Sequence, residues 1–360
     1  MNALILNQEF QSFSIVDTYT SFIWTDRYFS CGDFEILSPI EPDTFEKFKI
    51  DNYIQIVDSD RTMIIEKITT NTKIEDGSMI TISGRSLESI LERRIIWGQK
   101  MITGNFQDGI EELLNENIIN PTDNSRKIEN FIFEKSDDPL ITELEIQAQY
   151  NCDNLYTAIQ IICEDRGIGF KVTLNEINQF VFELYAGIDR SYDQTSTPYV
   201  LFSPEFDNLI NGTYIESRSG TKNVTLIGGE GEGASRKFAT VGNEFGLNRR
   251  EIFTDASDIS SDVGNHKILT KEEYEAVLIQ RGNESLSDLE DVTGFEGEIE
   301  SKIMYRYGED FYEGDIVQIA DEFGHNAKVR IIEMIRSNDP TGSSLYPSYM
   351  VLPKKGTRIK

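Results

Sequence analysis

The sequence predicts a mainly β protein with an α+β lobe, in which two β modules bracket the mixed lobe. Residues 1–98 carry short runs rich in aromatic and β-branched residues, separated by polar turn signals, a pattern typical of a small barrel or sandwich. Residues 99–203 change to the helical spacing of apolar residues. Residues 204–360 return to alternation, with one inserted helix expected at about 270–282. These three stretches are the predicted domains.

Two runs in the first module predict a β-hairpin. Residues 53–57 and 62–66 are rich in strand-forming side chains, and the polar residues 58–61 between them suit a turn. A short helix is expected to start near Ser86, because apolar residues then recur at i, i+3 and i+4.

The mixed lobe is predicted to hold two helices and two strands. Asn105 is a candidate N-cap of the first helix, and Asp153 of the second. Gly167 follows the second helix, where it suits a left-handed C-terminal position. The alternating runs 169–174 and 179–185 flank a polar turn, so we expect two adjacent strands.

The last module contains two predicted strand pairs. The runs 212–217 and 223–227 are expected to pair with each other. The runs 315–320 and 327–335 alternate on either side of a polar turn, which predicts a hairpin.

The inserted helix of the last module has a start signal and a stop signal. Thr270 and Glu273 form a capping-box pattern ahead of an apolar stripe. Gly282 is expected to end the helix, because glycine adopts the left-handed conformation common after a last turn.

Composition argues against several classes of protein. Of 360 residues, 39% are hydrophobic and 27% charged, which fits two or three small domains and not a disordered chain. Lys and Arg number 34 against 62 Asp and Glu, and the net charge of −28 argues against ordinary DNA or RNA binding. No apolar run approaches the roughly 18 residues of a membrane-spanning helix, and the N-terminus lacks the pattern of a secretory signal.

Cysteine and histidine usage predicts neither a disulfide framework nor a zinc site. Cys31, Cys152 and Cys163 have no C-x-x-C spacing, which fits assembly in a reducing cytoplasm, and Cys163 is expected to be a buried thiol. His266 and His325 are the only histidines, so a histidine-rich metal site is not expected. We predict no cofactor and no metal.

The glycine-rich run at 228–233 invites comparison with a phosphate-binding loop. Such loops combine backbone N–H groups with a nearby cation followed by Ser or Thr. Here Glu230 and Glu232 lie inside the run and would repel a phosphate, and neither Arg236 nor Lys237 is followed by Ser or Thr. The run therefore predicts a structural hairpin or an inter-subunit loop.

Two further features bear on partners. The arginine pair at 249–250 is either a local ion pair or a contact to a neighbouring subunit, where arginine is favoured. The basic segment 353–360 is either a solvated tail or a docking peptide. The candidate subunit-interface residues are Gly228, Gly229, Gly231, Gly233, Arg249 and Arg250.

Signals for catalysis and for calcium are weak. Among 62 acidic residues a pair of carboxylates is expected by chance, so a glycosidase pair cannot be recognised. No G-x-S-x-G motif marks a serine hydrolase. The acidic stretches 58–60 and 255–258 lack a full calcium loop and are interpreted as solvated turns. We assign no catalytic residue.

Six blocks of the chain carry a recognisable pattern. They include an aromatic-Gly-Asp-Phe-Glu strand, a Gly-x-Asp-Arg turn, a Leu-Thr-x-Glu-Glu-Tyr helix start and a Tyr-Gly-x-Asp strand entry. The blocks lie at 28–35, 84–97, 187–190, 228–253, 269–275 and 307–317. In this order they resemble a family of siphophage tail hub proteins.

The resemblance implies a hub similar to the central hub of contractile-tail baseplates. In such hubs two β-barrel modules per chain, repeated in a homotrimer, make a pseudo-sixfold ring that matches the hexameric tail tube. The implied partners are the tail tube, the distal tail protein and tail tip or fibre proteins, and phage DNA passes through the ring without specific binding. The implied location is the tail tip of the virion, after assembly in the host cytoplasm.

The resemblance favours a structural protein and not an enzyme. The alternative is a tail-associated hydrolase that acts on the cell wall or on polysaccharide. A third option is a receptor-binding module. If the hub interpretation holds, we expect the pore-facing surface to carry more Asp and Glu than Lys and Arg, since a basic wall would trap DNA.

Overall fold

The computed structural model describes residues 1–73, 77–263, 268–287, 289, 292–299 and 304–352. The fold is mainly β, with 42% strand and 21% helix in several sheets, and none of these sheets closes into a barrel within the described residues. His266 and the basic segment 353–360 lie outside the described residues.

Where the structure describes it, the first part of the chain forms seven strands and two short helices. A four-residue helix α1, Thr44–Lys47, separates the fourth and fifth strands, and a 3-10 helix, Leu87–Arg93, follows the seventh. The strands are β1 Ala3–Leu6, β2 Ser12–Val16, β3 Ser21–Arg27, β4 Asp33–Pro39, β5 Tyr53–Ile56, β6 Thr62–Lys73 and β7 Gly77–Ser86. The predicted hairpin of β5 and β6 is confirmed, and the helix predicted near Ser86 is present as the 3-10 helix.

The mixed lobe adds five strands, three helices and a 3-10 turn at Asn124–Arg126. The strands are β8 Gln99–Asn105, β9 Phe131–Glu134, β10 Glu145–Asn151, β11 Gly169–Leu174 and β12 Phe180–Tyr185. The helices are α2 Phe106–Leu114, which continues as a π-helix over Asn115–Ile119, α3 Pro139–Thr142 and α4 Leu155–Arg166. The predicted pairing of β11 with β12 is confirmed.

Two of the three predicted caps of the lobe are confirmed. The side chain of Asn105 accepts hydrogen bonds from the start of α2, and Gly167 has φ 69° at the end of α4. The prediction for Asp153 is wrong, because Asn154 caps α4 by accepting from the N–H of Thr157. The Asp153 carboxylate instead accepts from the N–H of Asn151 at 2.7 Å.

The described residues of the last part of the chain form nine strands and one long helix. The strands are β13 Leu201–Phe202, β14 Leu209–Ser217, β15 Val224–Gly228, β16 Phe238–Val241, β17 Glu251–Asp255, β18 Val292–Ile299, β19 Ile316–Ala320, β20 Asn326–Asp339 and β21 Gly342–Val351. The helix is α5, Lys271–Ser287. The predicted hairpin of β19 and β20 is confirmed.

Two predictions for this part are wrong. The runs 212–217 and 223–227 do not pair with each other: β14 pairs with β18, and β15 lies between β16 and β17. Gly282 does not end α5, which runs to Ser287 after a confirmed capping box at its start. Gly282 lies where the helix meets β15, since a Cβ there would come within 2.7 Å of Ile227.

The largest sheet has eleven strands from both ends of the chain. Its order is β13-β19-β20-β3-β4-β7-β6-β5-β1-β2, and β21 pairs with β20 as well. The antiparallel pairing of β20 with β3 therefore joins the last module to the first. Separate apolar cores lie in the first module, in the mixed lobe, beneath β19 and β20, and around α5.

Candidate subunit interface

The predicted interface residues fall in a small unit that we call the insert, formed by β15, β16, β17 and α5. In its sheet β15 is the central strand, antiparallel to β16 and parallel to β17. One face of the sheet packs on α5, with Ile227 and Ala239 against Tyr274 and Leu278, all buried. Since strand residues alternate between faces, the neighbours of these strand residues point away from the helix.

The opposite face of this sheet is apolar and exposed, and we call it the insert face. Leu226, Phe238 and Phe253 lie on neighbouring strands with 44%, 52% and 50% of their surfaces exposed. The loop between β16 and β17 adds Phe245, 82% exposed, and Leu247, fully exposed. Clustered apolar side chains in contact with water are the usual mark of an interaction site.

The glycine run folds tightly against the chain's own side chains. A Cβ on Gly228 would lie 2.7 Å from the Arg236 guanidinium, and one on Gly229 would lie 2.3 Å from the Tyr274 hydroxyl. Gly231 has φ 96°, a conformation that other residues avoid, and its Cβ would also crowd the chain after Gly233. The run is therefore a structural turn whose glycines allow close packing.

Arg236 organises this turn. Its Nη2 donates to the carbonyl of Gly228 at 2.8 Å and its Nε to that of Gly229 at 3.1 Å. The guanidinium also pairs with Asp255 and lies over the Phe253 ring, 5.3 Å from the centroid. The pattern around Arg236 argued only against a phosphate loop and did not reveal this role, because Asp255 and Phe253 lie 19 and 17 positions farther along the chain.

Glu230 fixes the glycine turn to the loop after β17. Its carboxylate accepts from Lys237 Nζ at 2.6 Å, from the N–H of Ser261 at 2.8 Å and from the Ser261 hydroxyl. Partial burial alone would raise the pKa of Glu230, but these hydrogen bonds outweigh it and lower the pKa to about 2. The Glu230 carboxylate is therefore ionised at neutral pH and accepts the hydrogen bonds from Lys237 and Ser261.

The arginine pair lies at the other end of β15. Arg249 Nε bonds to Glu251 at 2.5 Å, and Arg250 Nη1 donates to the carbonyl of Arg218 at 2.7 Å. The carbonyl of Arg250 accepts from the N–H of Asn223, next to the start of β15. The two groups of predicted interface residues thus lie at opposite ends of a strand roughly 16 Å long and do not form one cluster.

The weak calcium candidates are held by ion pairs. Asp60 contacts Lys171 at 2.6 Å, Asp255 pairs with Arg236, and Asp258 contacts Arg281 at 3.1 Å. Within the part of the chain that the structure describes, no group of three or more His, Cys, Asp or Glu is arranged to hold a metal ion.

The remaining sequence expectations concern single elements. Cys163 is buried on α4, as predicted, and Cys31 is buried while Cys152 is exposed. Among the helices within the described ranges, none combines the length and apolar character needed to span a membrane.

A second polar site, which we call the junction cluster, is buried where the first module meets the lobe. Arg61, only 2% exposed, donates to Glu88 at 2.5 Å and to the Tyr185 hydroxyl at 2.8 Å. Glu88 is fully buried and also accepts from the N–H of Val172. Burial alone would lower the pKa of Arg61, but the electrostatic interactions of its guanidinium with Tyr185 and Glu88 outweigh burial and hold the pKa well above its ordinary value. Glu313, from the last module, lies 3.9 Å from Arg61.

One face of the eleven-stranded sheet is not covered by the four apolar cores. A row of side chains crosses it from β20 to β6, each opposite the next in register: Ser337, Ile23, Glu35, Ser83 and Lys67. All five side chains are partly or fully exposed. We call this surface the open sheet face.

Two arginines on the open sheet face are paired with carboxylates. Arg27 contacts Asp33 at 2.8 Å and Glu333 at 2.6 Å. Arg85 contacts Glu66 at 2.8 Å. Paired guanidinium groups have fewer free donors for a phosphate.

Comparison with known proteins places the chain among phage tail proteins. A family model described as Siphovirus ReqiPepy6 Gp37-like protein matches residues 2–345. None of the curated proteins matches the sequence.

Solved structures share the fold at low sequence identity. The prophage tail protein gp18 from Listeria monocytogenes EGD-e is 13% identical, with a TM-score of 0.59 over 99% of this chain and 96% of that chain. The tail protein from Neisseria meningitidis MC58 is 13% identical, with a TM-score of 0.58 over 97% and 96%. The 43 kDa tail protein of prophage MuSo2 from Shewanella oneidensis is 13% identical, with a TM-score of 0.59 over 97% and 98%.

Proposed function

The chain belongs to the Siphovirus ReqiPepy6 Gp37-like protein family, and from this premise we propose that it is a tail hub, a homotrimeric ring at the distal end of the tail tube. Membership makes it a phage tail structural protein and a component of the virion, and it confirms the resemblance to a siphophage tail family. We propose no catalytic activity. We propose in addition that it forms a ring, that this ring lies at the tail tip, and that it assembles in the host cytoplasm.

The exposed insert face is the main support for the proposal that copies of this chain assemble. Five large apolar side chains, each more than two-fifths exposed, lie on one small unit: Leu226, Phe238, Phe245, Leu247 and Phe253. Covering them stabilises an assembly by roughly 25 cal/mol per Å² of apolar surface removed from water. A closed cyclic homotrimer covers this face in every copy. The glycine turn and the arginine pair at the two ends of β15 then lie at the rim of the same contact.

The large sheet supports the proposal of a ring. Strands of the first and last modules share one continuous sheet through β20 and β3, so each chain offers two β modules side by side. Three copies of two modules give the pseudo-sixfold symmetry that fits a hexameric tube. We propose the domain limits 1–98, 99–203 and 204–360, with barrel closure of the two β modules within the ring.

The open sheet face suits the wall of a DNA channel. Its arginines are neutralised by neighbouring carboxylates, and serine side chains lie between them. A wall whose arginines are paired with carboxylates holds the phosphate backbone less strongly, because DNA binding depends on neutralising phosphates with Lys and Arg. The proposed partners are the tail tube, the distal tail protein and tail tip or fibre proteins.

Electron microscopy of the purified protein tests the ring, and a gel shift with duplex DNA tests the channel wall. We expect ring-shaped particles and no DNA binding at physiological salt. Uniform single-chain particles would overturn the ring, whereas a lumen lined mainly by Lys and Arg, or a gel shift, would overturn only the sliding wall. Clearing of host cell walls in a zymogram would instead support a hydrolase.

A further inference from the structure

A basic and aromatic surface, which we call the cationic patch, lies where the first module meets the lobe. It consists of Arg94, Ile95, Trp97 and Arg126. Trp97 is 57% exposed and Ile95 is 44% exposed, although both side chains are large and apolar. The Arg126 guanidinium lies over the Trp97 ring, 4.1 Å from its centroid. The contacts proposed above do not involve this patch.

Uncharged oxygen atoms fix the two guanidinium groups of the patch. Arg94 Nε donates to the carbonyl of Arg126 at 2.8 Å, and Arg94 Nη1 donates to the carbonyl of Arg93 at 2.9 Å. Arg126 Nη2 donates to the carbonyl of Ile95 at 2.6 Å and to Asn117 Oδ1 at 2.9 Å. Both groups are therefore held in place with N–H donors left over for a further acceptor.

The described part of the chain does not neutralise the patch. Neither guanidinium forms an ion pair with a carboxylate among the residues that the structure describes. Burial and the neighbouring charge of Arg94 lower the pKa of Arg126, and the weaker attraction of Asp123 does not offset them. Arginine beside tryptophan is typical of the central contacts of protein interfaces. The complementary partner carries carboxylates next to an apolar or aromatic side chain.

A turn at the edge of the large sheet has this complementary chemistry, and we call it the acidic turn. It follows β13 and contains Glu205, Phe206 and Asp207, all exposed, with 40% of Phe206 accessible to water. The Ser203 hydroxyl accepts from the N–H of Glu205 at 3.2 Å, and the N–H of Asp207 donates to the carbonyl of Pro204 at 3.1 Å. The turn therefore presents two carboxylates on either side of an aromatic ring.

The cationic patch and the acidic turn of one chain lie apart, with α4 between them. This helix begins beside the patch, where the N–H of Leu155 donates to the carbonyl of Arg94 at 3.0 Å. It ends beside β20, where a Cβ on Gly167 would lie 3.3 Å from Arg330, and the turn lies farther on, past β19. At 1.5 Å per residue, the 12 residues of α4 span about 18 Å. A cyclic trimer closes through contacts between two such different surfaces of successive copies.

We propose that the cationic patch of each copy binds the acidic turn of the next copy in the ring. Glu205 and Asp207 pair with the two guanidinium groups, and Phe206 packs beside the exposed Trp97 ring. Pairs between arginine and carboxylate groups supply the direction that an apolar contact alone lacks. The proposal rests on the homotrimer proposed above and names a contact between its copies.

Charge reversal, followed by sedimentation equilibrium, tests the contact. Glu205→Arg changes an exposed side chain and should weaken association by roughly tenfold or more, because it places like charges opposite each other. Arg94→Glu should have the same effect from the other side. The two changes combined in one chain should restore most of the association, since each contact in a closed ring then joins a reversed patch to a reversed turn. Glu176→Arg, in the exposed turn between β11 and β12, is the matched control and should leave association unchanged.

A second variant guards against a loss of folding, because the Arg94 side chain also holds the backbone of the patch. Trp97→Ser removes an exposed ring, keeps both charges and should also weaken association, with circular dichroism as the check on folding. Trimers that are unaffected by Glu205→Arg or by Trp97→Ser would overturn the contact and leave the hub in place. A folded double variant without restored association would do the same. Single chains in the parent protein would contradict the hub and the contact together.

Discussion

The junction cluster and the insert face use opposite chemistry in opposite places. At the junction, charged Arg61 and Glu88 are buried and join the first module to the lobe. On the insert, apolar Leu226, Phe238 and Phe253 are left in water. A buried ion pair is stable in only a few geometries. The hydrophobic effect is non-directional, so an exposed apolar face can be covered by partners in many orientations. The difference supports our proposal that contacts within each chain set the positions of the modules, and that the insert contacts other copies.

The largest expected effect comes from removing one partner of the junction cluster. Glu88→Ala leaves the Arg61 charge buried without its carboxylate, which should cost roughly 3–5 kcal/mol of unfolding free energy. Urea unfolding followed by circular dichroism measures the loss. Glu92→Ala, on the same 3-10 helix and paired with partly exposed Arg85, is the control and should cost about 1 kcal/mol or less. Equal costs for the two variants would show that the junction is not a special contact.

Substitutions on the insert face should weaken assembly and leave folding intact. Leu226→Ser combined with Phe238→Ser removes central apolar area, which at an interface costs about 2 kcal/mol or more of association free energy. Sedimentation equilibrium should show weaker association with an unchanged melting temperature. Val57→Ser changes a side chain that is 92% exposed elsewhere and should have no effect. If the double variant assembles as well as the parent, the insert face is not the contact.

Substitutions at Gly167 test the contact between the end of α4 in the lobe and the first module. It ends α4 at φ 69°, and its carbonyl accepts from the Tyr28 hydroxyl at 3.1 Å. Gly167→Val places a β-branched residue in a left-handed conformation and should destabilise the protein by about 1 kcal/mol or more. Gly167→Asn, which tolerates this conformation better, should cost less. Thermal melts that do not separate the two variants would contradict this explanation.

The smallest expected effect is a pH dependence confined to the insert. The pKa of Glu230 falls from its ordinary 4.5 to about 2 in the folded chain, so the native carboxylate stabilises the insert at pH values above its unfolded pKa. This stabilisation should disappear as the pH falls through that range toward about 2. Melting curves of the parent and of Glu230→Gln should therefore differ at pH 7 and converge near pH 2. A difference that persists unchanged at low pH would exclude the ionised carboxylate as its cause.

Sequence patterns predicted those elements that depend on residues close together in the chain. The alternation around 58–61 and around 323–326 predicted both hairpins, and the caps Asn105 and Gly167 were predicted because their signals lie within a few residues. Pairing between distant segments leaves no such signal. The contact of β14 with β18 joins residues about 80 positions apart, so the local pairing predicted for 212–217 was wrong.

The candidate site was predicted only in part. Glycine at 282 has the signal of a helix stop, but its reason is close packing on Ile227, which is visible only once α5 lies on the sheet. The glycine run was predicted as a structural hairpin or an inter-subunit loop, whereas the roles of Arg236 and Tyr274 depend on contacts with the β17 region and with α5. The arginine pair and the glycine run remain predicted interface residues. Exposure of the insert face could not be derived from the alternation, since a strand pattern does not say which face is covered.

Native mass spectrometry of the purified protein is the most direct test of the hub assignment. A trimeric hub gives one dominant species at three times the chain mass of 41.1 kDa, at micromolar protein concentration. A single species at 41.1 kDa under the same conditions would contradict the trimeric hub.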